Sequence, residues 1–108
     1  MSKHDKLVNK YSKPSNINFI NEDIYRIVKE QSLCDVFGID SYKTPDLIYF
    51  GEYNIYIGEV KGKYYIGNKK KATNQVHRYY RTLKKYDIDT VPFIIVGNNY
   101  KKVFLHGF

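Results

Sequence analysis

Two apolar runs separated by a glycine do most to restrict the folds open to this chain. Residues 46–50, DLIYF, and residues 55–61, IYIGEVK, are rich in Ile, Tyr and Val and flank Gly51-Glu52, the composition of two antiparallel strands joined by a tight turn. Side chains alternate faces along a strand, so Glu59 and Lys61 project to one side and Val60 to the other. Asp46, which follows Pro45 at the start of the first strand, joins Glu59 and Lys61 only if the numbers of paired residues add up to an odd value. A two-residue turn at Gly51-Glu52 meets that condition: Phe50 then opposes Tyr53, Asp46 opposes Ile57, and Glu59 is the diagonal neighbour of Asp46. A three-residue loop would turn Asp46 to the opposite face.

At 108 residues the chain has length for one core and no separate substrate module. Residues 1–15 are Lys-rich, contain Pro14 and follow neither structural period, so they are expected to form a mobile basic arm ahead of a single domain at 16–108. Over residues 18–31, Ile20, Ile24, Ile27 and Val28 recur at helical spacing, predicting a first helix with Asp23 and Glu30 on its flank and Glu22 pointing away. Residues 32–43 read as a short strand begun by Val36 and Phe37, or as an irregular connection, broken by Gly38. Residues 64–66 are expected to add a short strand that Gly67 and Asn68 close.

The helical period returns at 71–86, with Ala72, Val76, Tyr79, Tyr80, Leu83 and Tyr86 on one side and His77, Arg78, Arg81, Lys84 and Lys85 on the other. A buried strand at 93–96 follows Pro92, and Asn98-Asn99 turns the chain into an edge strand at 100–105. The predicted architecture is α/β: a helix, an antiparallel strand meander, a helix and two strands, forming a mixed central sheet flanked by helices.

Eighteen Lys and Arg against eleven Asp and Glu leave a net charge of +7, which favours a polyanionic partner, DNA or RNA before an anionic membrane surface. The longest apolar run, 93–96, is too short to cross a bilayer and the N-terminus lacks a basic-then-apolar leader, so a soluble, cytoplasmic protein of a prokaryotic or viral host cell is expected, without a membrane partner. A single cysteine, Cys34, excludes an internal disulfide or a thiolate metal site within this chain and reads as a core residue. Some of the twelve tyrosines can stack on bases.

Two carboxylates placed side by side repel unless a cation lies between them, and hard oxygen donors favour Mg²⁺, with Mn²⁺ able to substitute. Asp46 and Glu59 are thus candidate metal ligands, and Lys61, on the same face, is suited to hold a hydroxide or offset charge developing on a phosphate. Gln75 and Tyr79 are four apart on the second helix, at the border of its apolar stripe, where an amide can orient water or a phosphate oxygen and a phenol can bind the neighbouring phosphate. Lys69, Lys70, Lys71, Arg78 and Arg81 can grip a phosphate backbone without reading sequence. His77 reads as a surface or DNA-contacting residue, and neither His4 nor His106 has a partner at a telling distance in sequence.

The segment PDLIYFGEYNIYIGEVKG resembles the core of the PD-(D/E)xK, or restriction-endonuclease-like, nuclease superfamily. The likeness in motif order runs from about Asn18 to Leu105. It implies that Asp46 and Glu59 ligate Mg²⁺ with help from the Val60 carbonyl, that Lys61 is the catalytic lysine, and that Gln75 and Tyr79 match the accessory motif of RecB-like branches. The length and the run VKGKYYIGNKKKATNQ look most like archaeal-type Holliday-junction resolvases. That likeness implies a homodimeric DNA endonuclease of DNA recombination, acting on branched DNA and leaving 5′-phosphate and 3′-hydroxyl ends. Those resolvases carry a glutamate early in their first helix, a role for which Glu22, Asp23 and Glu30 compete here. The alternatives are a RecB-like nuclease acting on single strands or ends, and a catalytically silent basic module that binds nucleic acid.

Overall fold

The computed structural model describes residues 2–63, 65–97 and 102–105. A five-stranded sheet runs in the order β1 (Ile24–Lys29), β2 (Leu47–Gly51), β3 (Ile55–Lys61), β4 (Val91–Val96), β5 (Lys102–Leu105). The first three strands form an antiparallel meander, β4 is parallel to β3, and β5 is antiparallel to β4. Parallel strands need a crossover between them, and α3 (Ile66–Lys84) provides it. One face of the sheet packs under α1 (Lys3–Lys10) through Leu7, Val8, Tyr11, Leu47, Tyr49, Val60 and Phe93. The other packs under α2 (Leu33–Phe37) and α3 through Leu33, Ile48, Ile57, Val76, Tyr79 and Leu83. The expected α/β class, a mixed sheet flanked by helices, is present, but the first helix lies elsewhere in sequence and α2 interrupts the meander between β1 and β2.

That helix is at residues 3–10 and not at 18–31, so the N-terminal segment read as a mobile arm is instead a structural layer. Ser2 accepts a hydrogen bond from the Asp5 N–H at 3.0 Å, an N-cap, and Leu7, Val8 and Tyr11 are buried. Residues 24–29 form β1, and their helix-like spacing has a specific cause. Ile24 pairs with Gly51 and Arg26 with Phe50, which leaves Tyr25 as a bulge residue. The bulge restores parity, so Ile24 and Ile27 both pack on the α1 side while Val28 enters the opposite core. A three-residue step on one face imitates a helical stripe.

Three further expectations change. Residues 33–37 are helical, between an N-cap at Ser32 and Gly38 in the left-handed region at φ 70°; Cys34 there is only half-buried. Ile66, Gly67 and Asn68 open α3 and do not close a strand; Tyr64 lies outside the described residues. The Asn98-Asn99 turn and His106 also lie outside them, and the closing strand is described from Lys102.

Glu22 acts at the hairpin turn. Its carboxylate accepts from the Tyr53 N–H at 2.6 Å, the Asn54 side chain at 2.8 Å and the Tyr56 hydroxyl at 2.6 Å. The Tyr53 amide and then the Tyr56 hydroxyl hold its pKa down at about 2, below the ordinary 4.5. A depressed carboxylate stabilises the fold above its unfolded-state pKa and loses that contribution as pH falls through the folded one. Thermal melts of wild type and Glu22→Gln are therefore expected to differ at pH 6 and converge as pH drops from about 4.5 toward 2; a gap that persists at pH 2 would exclude this account.

Candidate active site

Pairing between β2 and β3 runs from Phe50↔Ile55 to Leu47↔Gly58 and stops there. The Gly51 N–H donates to the Asn54 carbonyl at 2.8 Å, so the two turn residues are Glu52-Tyr53, one position later than expected. The odd sum survives that shift. Continued by one position, the register sets Asp46 directly opposite Glu59 instead of diagonal to it, on the α3 face shared by Ile48 and Ile57.

Asp46 replaces the missing ladder. Its Oδ2 accepts from the Val60 N–H at 2.8 Å, and its own N–H donates to Glu59 Oε1 at 3.4 Å. The N–H and C=O of one residue leave an extended strand on the same side, so the Val60 carbonyl also faces the gap where β2 has ended. Pro45 is buried, and the loop before it is tied to α2 by the Cys34 N–H to Ser41 carbonyl bond at 2.7 Å and the Leu33 N–H to Lys43 carbonyl bond at 2.9 Å. The Glu30 N–H donates to the Asp46 carbonyl at 3.1 Å and holds the other flank.

Glu59 is only 5% exposed. Burial first, and the Asp46 charge second, push its pKa up to about 7, against the opposing pull of Lys61 and of the Tyr79 hydroxyl. That hydroxyl lies 3.1 Å from Glu59 Oε1 and 3.4 Å from the Thr44 carbonyl; burial and then the Glu59 charge raise its own pKa. α3 thus delivers Tyr79 to the acid pair, and Gln75, one turn earlier, lines a recess with Lys61, Lys71, Asn74 and Arg78.

Not every candidate reaches this place. Glu22 and Asp23 lie at the hairpin turn, the opposite end of β3, where the Asp23 carbonyl accepts from the Glu52 N–H at 3.2 Å. Glu30 abuts Asp46 through backbone, with an exposed side chain. Lys69 and Lys70 border a different recess with Ile66 and Thr73, and Arg81 is exposed one turn beyond Arg78. His77 is half-buried on α3 and is not a solvent-facing histidine.

His4 is the residue that sequence reasoning missed. Its Nε2 is 3.2 Å from Asp46 Oδ1, and its Nδ1 is 3.4 Å from Asp5 Oδ1. Burial lowers its pKa, but attraction to Asp46, and secondarily Asp5, leaves it raised above 6.5. Gly62 permits the approach of α1, since a Cβ there would lie 3.0 Å from the His4 backbone nitrogen. The available signal was Ser2-x-x-Asp5 ahead of Leu7 and Val8, a helix start that places His4 in a first turn.

The donor set suits Mg²⁺ or Mn²⁺: two adjacent carboxylates, one raised in pKa by its burial and then by the other's charge, beside a carbonyl facing the same gap. Among the described residues no group of three or more His, Cys, Asp or Glu is arranged around one metal position. Among the described residues no helix is long and apolar enough to cross a membrane. Comparison with family models, with curated proteins and with solved structures gives no match to this chain.

Proposed function

We propose that this chain is a Mg²⁺-dependent deoxyribonuclease of the PD-(D/E)xK type that hydrolyses phosphodiester bonds. The observation that carries the reading is the electrostatically frustrated pair of half-buried Asp46 and buried Glu59, facing each other one position beyond the last rung of the hairpin with Lys61 on the same face. Bound there, the ion would supply Lewis-acid polarisation of a phosphate oxygen and acidify a water toward neutral pH. Asp46, Glu59 and the Val60 carbonyl would hold it, with His4 against Asp46 as a neighbouring donor. Tyr79 holds Glu59 in position through its hydroxyl. Lys61 offsets negative charge building on the phosphate, and Gln75 orients a phosphate oxygen or the attacking water from the recess.

Branched four-way DNA cut by a homodimer is the substrate that the resemblance to resolvases implies. A second reading, a RecB-like nuclease acting on single strands or ends, is favoured by Gln75 and Tyr79 sharing the site with the triad. Incubating the protein with four-way junction, linear duplex and single-stranded oligonucleotides tests both. Cleavage is expected with Mg²⁺ or Mn²⁺ and none in EDTA, and the preferred substrate decides between the two. Salt-sensitive binding without metal-dependent cleavage on any substrate would instead identify a silent binding module.

A further inference from the structure

The recess between β3 and α3 has a chemistry that the reading above uses only in part. Its volume is about 260 Å³, and Lys61, Lys71, Asn74, Gln75 and Arg78 line it. That is below the roughly 300–1,000 Å³ of sites that enclose a drug-sized ligand, so a small group fits. Three of the five side chains are cations, two are carboxamides and none is an acid. Among the described residues the ion pairs are His4 with Asp5, His4 with Asp46, and Lys84 with Asp89, so the three cations converge without a carboxylate in contact. Gln75 Oε1 is buried there with no hydrogen-bond partner; a half-turn of the amide would present its two N–H donors instead.

We propose that this recess is a subsite for a terminal phosphate of the nucleic-acid strand, so that the substrate has a phosphorylated end; this deepens, and rests on, the nuclease reading of the acid pair beside it. An internal phosphodiester carries one negative charge on two non-bridging oxygens. A terminal monoester carries close to two charges at neutral pH on three strongly accepting oxygens. Three cations with two amides match the second better than the first, and Lys61 links the recess directly to the triad.

The test uses wild-type protein in EDTA, where cleavage is silent, and internally labelled single-stranded oligonucleotides bearing a 5′-phosphate, a 3′-phosphate or hydroxyls at both ends. One phosphorylated end is expected to bind about tenfold more tightly than the hydroxyl-ended strand, as one or two charge-assisted hydrogen bonds would give. Lys71→Ala/Arg78→Ala, both exposed positions on α3, should erase that preference while leaving the melting temperature unchanged. Equal affinity for all three strands overturns the proposal. So does a double variant that weakens all three alike, which would mean that the recess grips an internal phosphodiester. An end preference in a protein that never cleaves with metal would fail the nuclease reading and leave the subsite standing.

Discussion

Glu59→Gln is expected to abolish metal-dependent cleavage and, in the same protein, to raise the stability of the metal-free fold above neutral pH. Burial and Asp46 lift the Glu59 pKa to about 7 from an ordinary 4.5, so between those values the folded state binds a proton that the unfolded state releases. Stability of the wild type therefore falls as pH rises through that window, and the penalty is complete above about 7. Its size is on the order of 3 kcal/mol, which in a domain of this length is a shift of roughly 10 °C or more in melting temperature. The neutral amide keeps an oxygen for the Tyr79 hydroxyl and carries no charge to desolvate. Melts in EDTA should show the variant above wild type at pH 8 and level with it at pH 5. Added Mg²⁺ should raise the wild-type melt and leave the variant unmoved. Equal melts at pH 8, or cleavage surviving in the variant, would remove Glu59 from the role assigned to it.

The other large effect lies behind the site. Gly58 faces Phe93 across the parallel pairing of β3 and β4, and a Cβ on it would lie 2.2 Å from the Phe93 ring. The ring has no room to withdraw: it is fully buried, stacked on Tyr49 at 5.0 Å between centroids and tilted against Phe19 at 5.8 Å. Overfilling such a core costs about 1–3 kcal/mol for one methyl group, so Gly58→Ala should lower the melting temperature by roughly 10 °C. Gly58→Val should leave too little stability for a cooperative melt, given a total of about 5–15 kcal/mol for a domain. Phe93→Leu in the Gly58→Ala background should recover part of the loss, because the two positions share one volume. Strictly additive losses would show that the collision is relieved elsewhere.

How much of this was legible depended on which signals were local. The strand pair at 46–61 follows from composition and alternation, and the parity that unites Asp46, Glu59 and Lys61 from a two-residue turn; that parity survives a turn misplaced by one residue because the sum of paired numbers stays odd. The border position of Tyr79 on α3 translates directly into its contact with Glu59. The first helix was misplaced for two separate reasons. A bulge at Tyr25 gave β1 a helical spacing, and the capping pattern of Ser2 and Asp5 was passed over in a segment rich in lysine. The same pattern at Ser32 and Asp35, with Gly38 after it, marks α2. His4 was out of reach because its partner is forty-two positions away in sequence, and only the docking of α1 against Gly62 brings the two together.

The end of the ladder at Leu47 and Gly58 ties the candidate site to arithmetic. Both faces of β3 are committed, one to α1 and one to α3, and the acid pair exists only because the Glu52-Tyr53 turn is even in length. A single inserted or deleted residue there, if no bulge like that at Tyr25 absorbed it, would invert one strand of the hairpin, exchanging its two buried faces and separating the carboxylates. Two inserted residues would merely lengthen the loop. The pleat of the sheet thus makes the meeting of the two carboxylates depend on whether the turn holds an odd or an even number of residues.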